Sequence, residues 1–153
     1  MFFRKIYFTL GLSIVLAACG AADSRYVLDF ETYKKLVNDK QVESLIVVKG
    51  EKNGFAGLAC LFMASIFTEE VLTKSVEAKA KGVDLEPDDL QVDNPTPAVF
   101  SLVDGKLNFE AFQDVPDLTK GGKLSYSLED REGANFLVVD SNEVTCSYPL
   151  IRK

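Results

Sequence analysis

The stretch KLSYSLEDREGANFLVVDSNEVTCSYPLI, residues 123–151, decides the fold. Lys123–Glu129 alternates, with Leu124, Tyr126 and Leu128 on one face and Ser125 and Ser127 on the other, the period of a half-buried strand. Asp130-Arg131-Glu132-Gly133 turns the chain into a second strand over Asn135–Val139. Ser141-Asn142 turns it again into a third, where Val144, Cys146, Tyr148 and Leu150 share a face. Upstream, Ala98–Val103 and Lys106–Phe112 flank Asp104-Gly105, a two-residue hairpin signal. Five strands joined mostly by short turns predict an antiparallel meander with one face covered by helix.

The helix to cover it is sought before the strands. Phe55–Phe67, FAGLACLFMASIF, is uninterruptedly apolar apart from Ser65, and too short for the ~20 residues that span a bilayer. It reads as the first half of a buried helix that continues through Glu69–Lys81, where Leu72, Val76 and Ala80 recur every four residues beside Val71. Lys79 and Lys81 suit a C-terminus and Gly82 a stop. Thr68 offers an alternative, the cap of a separate second helix. Earlier still, Asp29 caps a predicted helix over Phe30–Asn38, with Phe30, Tyr33, Leu36 and Val37 at helical spacing. Gln41–Lys49 follows, with Leu45–Val48 as a buried strand, and residues 50–54 form a loop.

The expected class is therefore α+β, an antiparallel β-meander packed on one long helix. This order of strand, long helix and antiparallel meander resembles the cystatin-like arrangement, in topology only. No hairpin signature or second-loop tryptophan of the protease-inhibiting cystatins is present, so the likeness implies no inhibitory activity.

The chain begins MFFRKIYFTLGLSIVLAAC. Arg4 and Lys5, an apolar run from Ile6 to Val15, and a small-residue end follow the order of a secretory signal. Leu16-Ala17-Ala18-Cys19 resembles the lipobox of bacterial lipoproteins. That resemblance covers the signal alone. It implies cleavage before Cys19 and a diacylglycerol on its sulfur, with a further acyl chain such as palmitate on the new amino terminus. Two or more chains anchor stably, at ~0.8 kcal/mol per buried CH₂. It also implies an outer-membrane address facing the periplasm, since Gly20 rather than Asp follows the cysteine. The expected organisation is signal 1–18, lipidated tether 19–25, and one α+β domain over 26–153. Six extended tether residues reach about 20 Å, which keeps the domain near the membrane.

The chain has 17 basic and 23 acidic residues. Loss of Arg4 and Lys5 with the signal leaves 15 basic residues and a net charge of −8, unfavourable for nucleic acid or for lying flat on anionic lipid. There is no histidine, which excludes Ser-His-Asp and Cys-His catalysis and the usual zinc sites. No cofactor and no metal is expected. With Cys19 acylated, Cys60 and Cys146 remain, as a disulfide across some 86 residues or as two buried thiols.

Val83–Pro97 is an acidic connector. Its Asp84, Glu86, Asp88 and Asp89 fail the EF-hand pattern, because Asp89 stands where the sharp-turn glycine belongs and Pro95 where the closing Glu belongs. These four, with Asp104 and Arg131 on hairpin turns, are the candidate partner-binding residues, since loop tips and edges favour recognition. Lys120-Gly121-Gly122-Lys123 is a weak anion-site candidate. Asp114, Asp117, Asp130 and Glu132 are the candidates for a carboxylate-dependent hydrolase. Ser65 and Ser75 fit no nucleophile elbow. An apolar pocket around Phe55, Phe62 and Phe67 could hold a lipid or small molecule. The favoured function is a membrane-anchored, non-catalytic protein-binding module, either an accessory part of an envelope or secretion assembly or an immunity or inhibitor protein.

Overall fold

The computed structural model describes residues 24–49, 55–113, 115 and 124–153. Cys19, the tether up to Asp23, Asp114, Asp117 and the 120–123 stretch lie outside the described residues. The elements run β1 (Tyr26–Leu28), α1 (Phe30–Asn38), α2 (Val42–Leu45), β2 (Ile46–Val48), α3 (Phe55–Ser65), α4 (Glu69–Lys81), a 3-10 turn (Pro87–Leu90), β3 (Phe100–Val103), β4 (Lys106–Phe109), β5 (Ser125–Arg131), β6 (Ala134–Asp140) and β7 (Val144–Arg152).

The fold is α+β, with an antiparallel sheet in the order β4-β3-β1-β7-β6-β5 and β2 joined to β7 beside that path. The sheet curls into a half-barrel. Strands β3 and β5, four places apart in the order, come within 8 Å of each other. The expected hairpins form where the turn chemistry demands them. Asp104 and Gly105 have φ of 51° and 74°, and Glu132 and Gly133 have φ of 53° and 87°, the left-handed pairs that a two-residue hairpin requires. Asp130 steadies the second turn by accepting the Gly133 N–H at 2.9 Å.

Three expectations are corrected. First, no single long helix forms. The apolar run breaks at Ile66–Thr68, and among the described residues the longest helix is α4, with 13 residues. The break arises because Phe67 O accepts from Ala98 N while Thr68 turns its side chain into a cap, accepting from Val71 N and donating to Ser65 O. Gly82 closes α4 in the left-handed conformation. Second, the strands are not a simple meander. The sequential pairings are β3–β4 and β5–β6–β7, and β1 is inserted between the β3–β4 hairpin and β7. A cystatin-like helix cradled by a continuous meander is therefore not the architecture. Third, Leu45 closes the short helix α2, and β2 is a half-exposed edge piece rather than a buried strand.

Strand β7 organises the whole. One of its edges pairs β6; the other pairs β2 through Val144–Cys146 and β1 through Leu150–Arg152. Strands β1 and β2 run in the same direction along that edge, so they are two ends of one interrupted strand with α1 and α2 inserted between them. Pro149 lies in the gap, where a ladder N–H would lack a strand partner, and its carbonyl accepts from Asp29 N at 2.9 Å. Beneath the sheet, Phe67 packs on Phe100, Phe109 and Tyr148 with ring centroids 5.5–6.2 Å apart, at the centre of one contiguous apolar cluster.

Candidate functional site

Cys60 and Cys146 form a disulfide, with Cα atoms 5.6 Å apart and a sequence separation of 86. The bridge joins the middle of α3 to β7 at the residue whose cross-strand partner is Ile46 of β2. Both sulfurs are buried. Beside them the Tyr148 hydroxyl donates to the Cys60 carbonyl at 2.6 Å. Burial pushes the Tyr148 phenol well above its ordinary value near 10, and the Tyr33 and Tyr126 phenols add to the shift. Tyr33, packed on Tyr148 at 5.4 Å, is raised by burial alone.

Helix α3 has no polar face to turn outward. Its side toward the body is built from the small residues Cys60 and Ala64, while Leu58, Leu61 and Phe62 stand 47%, 46% and 41% exposed. Their spacing of three and four puts them in one stripe. Full burial of such side chains is worth about 1.5–3 kcal/mol each, so exposing two-fifths of three of them forgoes roughly 2–4 kcal/mol. A soluble surface tolerates single apolar residues; a contiguous stripe marks a contact site. Strand β2 comes within 8 Å of α3, is 52% exposed at Val47 and 38% at Val48, and pairs only with β7 among the described residues. Val48 shares the sheet face of Cys146, and Val47 the opposite face.

At the end of this surface, Lys49 ion-pairs with Asp140 and also bonds to the Ser141 carbonyl. Hydrogen bonds from Lys49 and Thr145, with the Lys49 charge, hold the Asp140 carboxyl below the usual carboxylate range. Glu143 lies alongside, its carbonyl bonded to Lys49 N at 2.9 Å. With Lys49 neutralised by Asp140, this rim is left with the Glu143 charge.

The sequence-predicted residues are scattered. Glu86 and Asp89 meet, Asp89 Oδ2 accepting from Glu86 N at 2.9 Å to shape the 3-10 turn. The connector is also tied down. Leu85, Leu90 and Val92 pack on the core, and Glu70 accepts from Thr96 N and Oγ1. Burial opposes ionisation of Glu70, but those Thr96 bonds outweigh it and lower its carboxyl. The side chains of Asp84, Asp88 and Asp104 are exposed and make no hydrogen bond or ion pair among the described residues. Arg131 is a staple rather than a free cation. Its guanidinium donates to Ser44 O and Ser147 Oγ at 2.9 Å, meets Glu129, and lies 4.7 Å from the centre of the Phe136 ring. Of the hydrolase candidates, Asp130 serves the turn and Glu132 occupies a left-handed turn position. Ser65 Oγ donates to Phe62 O, and Ser75 is buried in α4.

Phe62 and Phe67, expected to line one pocket, point to opposite sides, Phe62 outward and Phe67 into the core. An open groove of about 680 Å³ lies elsewhere, along β4 and Phe112, Gln113 and Val115. Sequence reasoning missed Leu58, Leu61 and Val48 as surface residues. The signal was present: eleven residues of α3 offer one polar side chain, Ser65, so some apolar face had to remain outside.

Among the described residues, no helix is long and apolar enough to cross a membrane, and no cluster of three or more His, Cys, Asp or Glu could hold a metal. Comparison with protein-family models, curated proteins and solved structures returned no match.

Proposed function

We propose that this protein is a lipid-anchored component of the bacterial envelope that works without catalysis, by docking another protein on the surface made by α3 and β2. The observation that carries the reading is the outward stripe of Leu58, Leu61 and Phe62 beside an edge of β2 that has no strand partner among the described residues. Anchorage through Cys19 rests on the lipobox, and the outer-membrane, periplasm-facing address on Gly20.

The occupant is a different protein, with an apolar element flanked by basic residues. Two arguments favour it. The tether enters at Tyr26, opposite Arg152, whereas Cys146 lies six residues away along β7, about 20 Å at strand rise, so the surface sits at the far end of β7 from the anchor. Each mature chain carries −8, so self-association or contact with anionic lipid meets like charge, while a basic partner does not.

A photo-crosslinking residue at Leu61 or Phe62, introduced in cells, tests this. One discrete heterologous adduct is expected there and none at Val83, which is exposed elsewhere. Adducts to lipid or to a second copy would sink the reading. The anchor is tested separately: Cys19→Ser should move the protein out of the membrane fraction, and unchanged partitioning would contradict the lipobox.

A further inference from the structure

We infer that the Cys60–Cys146 bridge sets which face of α3 is presented, so that display of the docking stripe depends on oxidation of this pair. The inference rests on reading that stripe as the docking surface. Helix α3 runs largely against ordinary burial preference: Leu58, Leu61 and Phe62 are exposed to water, while the small Cys60 and Ala64 are buried, with the half-buried Met63 as the large side chain packed on the core. An amphipathic helix chooses its rotation by its polar face; α3, with Ser65 as its one polar residue, has almost none to choose by. Two directional constraints act at one residue instead. The Cys60 sulfur is bonded to Cys146, and the Cys60 carbonyl accepts from Tyr148 at 2.6 Å. Thr68 begins a separate cap after α3, so α4 is no helical continuation that would fix its rotation.

Because Cys146 is the cross-strand partner of Ile46, the bridge also fixes α3 against β2, the two elements that form the surface. An interface held rigid before contact binds with less ordering loss. In a reducing compartment the Tyr148 bond to the Cys60 carbonyl is the one directional constraint left at that residue, and a single hydrogen bond lets the helix turn, sending Leu61 and Phe62 inward and Met63 outward. Met63 is half-buried in the oxidised fold. The surface is thus displayed only after the pair has been oxidised, by loss of two thiol protons and two electrons to the disulfide-forming oxidant of the export compartment.

Hydroxyl-radical footprinting of the full mature chain tests this without any partner. Oxidised protein is compared with Cys60→Ala/Cys146→Ala, and Leu128 on β5 serves as the internal standard. Loss of the bridge should lower Phe62 modification at least threefold and raise Met63 oxidation by a similar factor, with sheet amides still protected from exchange. Adding Leu61→Ser and Phe62→Ser to the Ala pair should restore Met63 to its oxidised-state reactivity, because the gain from turning is removed. Unchanged ratios would overturn the inference, since packing alone then orients α3. A joint rise at Phe62 and Met63 would overturn it too, since the helix then melts rather than turns. If sheet protection is lost both in the Ala pair and in a volume-restoring Cys60→Val/Cys146→Val pair, the bridge holds the whole fold and the inference fails. None of these outcomes bears on whether a partner crosslinks at Phe62, so the two readings fail separately.

Discussion

Replacing both Cys60 and Cys146 by Ala removes a crosslink that closes 86 residues of chain. In the chain-entropy treatment a loop of this length is worth about 4–5 kcal/mol, the freedom that the unfolded chain regains when the bond is gone. Re-seating α3 returns part of that by covering some of the exposed Leu58, Leu61 and Phe62. The net loss should therefore be about 3–4 kcal/mol, a large share of the ~5–15 kcal/mol that holds a typical domain. At ~4 °C per kcal/mol the midpoint of thermal unfolding should fall by roughly 10–20 °C. Urea titration followed by far-ultraviolet circular dichroism is the assay, with oxidised protein as reference. The urea dependence should also steepen, because the uncrosslinked unfolded chain exposes more surface. A loss below ~1 kcal/mol with an unchanged slope would refute the reasoning, because the bridge would then restrict neither the folded nor the unfolded chain.

Three further outcomes follow from the same geometry. Arg131→Ala should destabilise by about 1–2 kcal/mol, since it strips a partner from the buried Ser147 hydroxyl and from the Ser44 carbonyl; urea midpoints equal to wild type would show that the staple is idle. Thr68→Ala should cost about 1–2 kcal/mol by uncapping α4 and freeing the bond to Ser65, with loss of amide protection concentrated at the start of α4. For the tyrosines, burial raises the folded values of Tyr33 and Tyr148 above their unfolded value near 10, so their contribution is complete below that pH and lost as pH climbs through the folded values. Absorbance at 295 nm should show these two ionising only together with alkaline unfolding. Ionisation near pH 10 in an intact fold would contradict their burial.

Turns were the most legible part of the chain. Asp104-Gly105 and Glu132-Gly133 declare left-handed backbone in their residue types, and alternation around them sets which side chains face the core. The helix break was legible only as an alternative, through Thr68 as a cap, because Phe55–Phe67 is almost continuously apolar and the Ala98–Phe67 backbone bond that helps to interrupt it spans thirty-one residues. Strand β1 left almost no signal. Three residues cannot show a period, and Tyr26–Leu28 becomes a strand only by pairing with Leu150–Arg152 at the other end of the chain. The same non-locality concealed the surface. That α3 had more apolar side chains than it could bury was readable from its composition, but which of them remained outside depended on Cys60 being tied to Cys146. Arg131 looked like a loop-tip cation, because its partners Ser44 and Ser147 are distant in sequence.

The central claim is that the exposed side of α3 is a protein-docking surface. It is tested most directly by measuring the affinity of the protein captured at Phe62, once purified, for the wild-type chain and for Phe62→Asp. Phe62 is 41% exposed, so the substitution should cost about 1–2 kcal/mol of folding stability and leave the chain folded, which circular dichroism checks. Placed at the centre of an interface, it should weaken binding by at least about 2 kcal/mol, some thirtyfold. Equal affinities for the two folded chains would contradict the account.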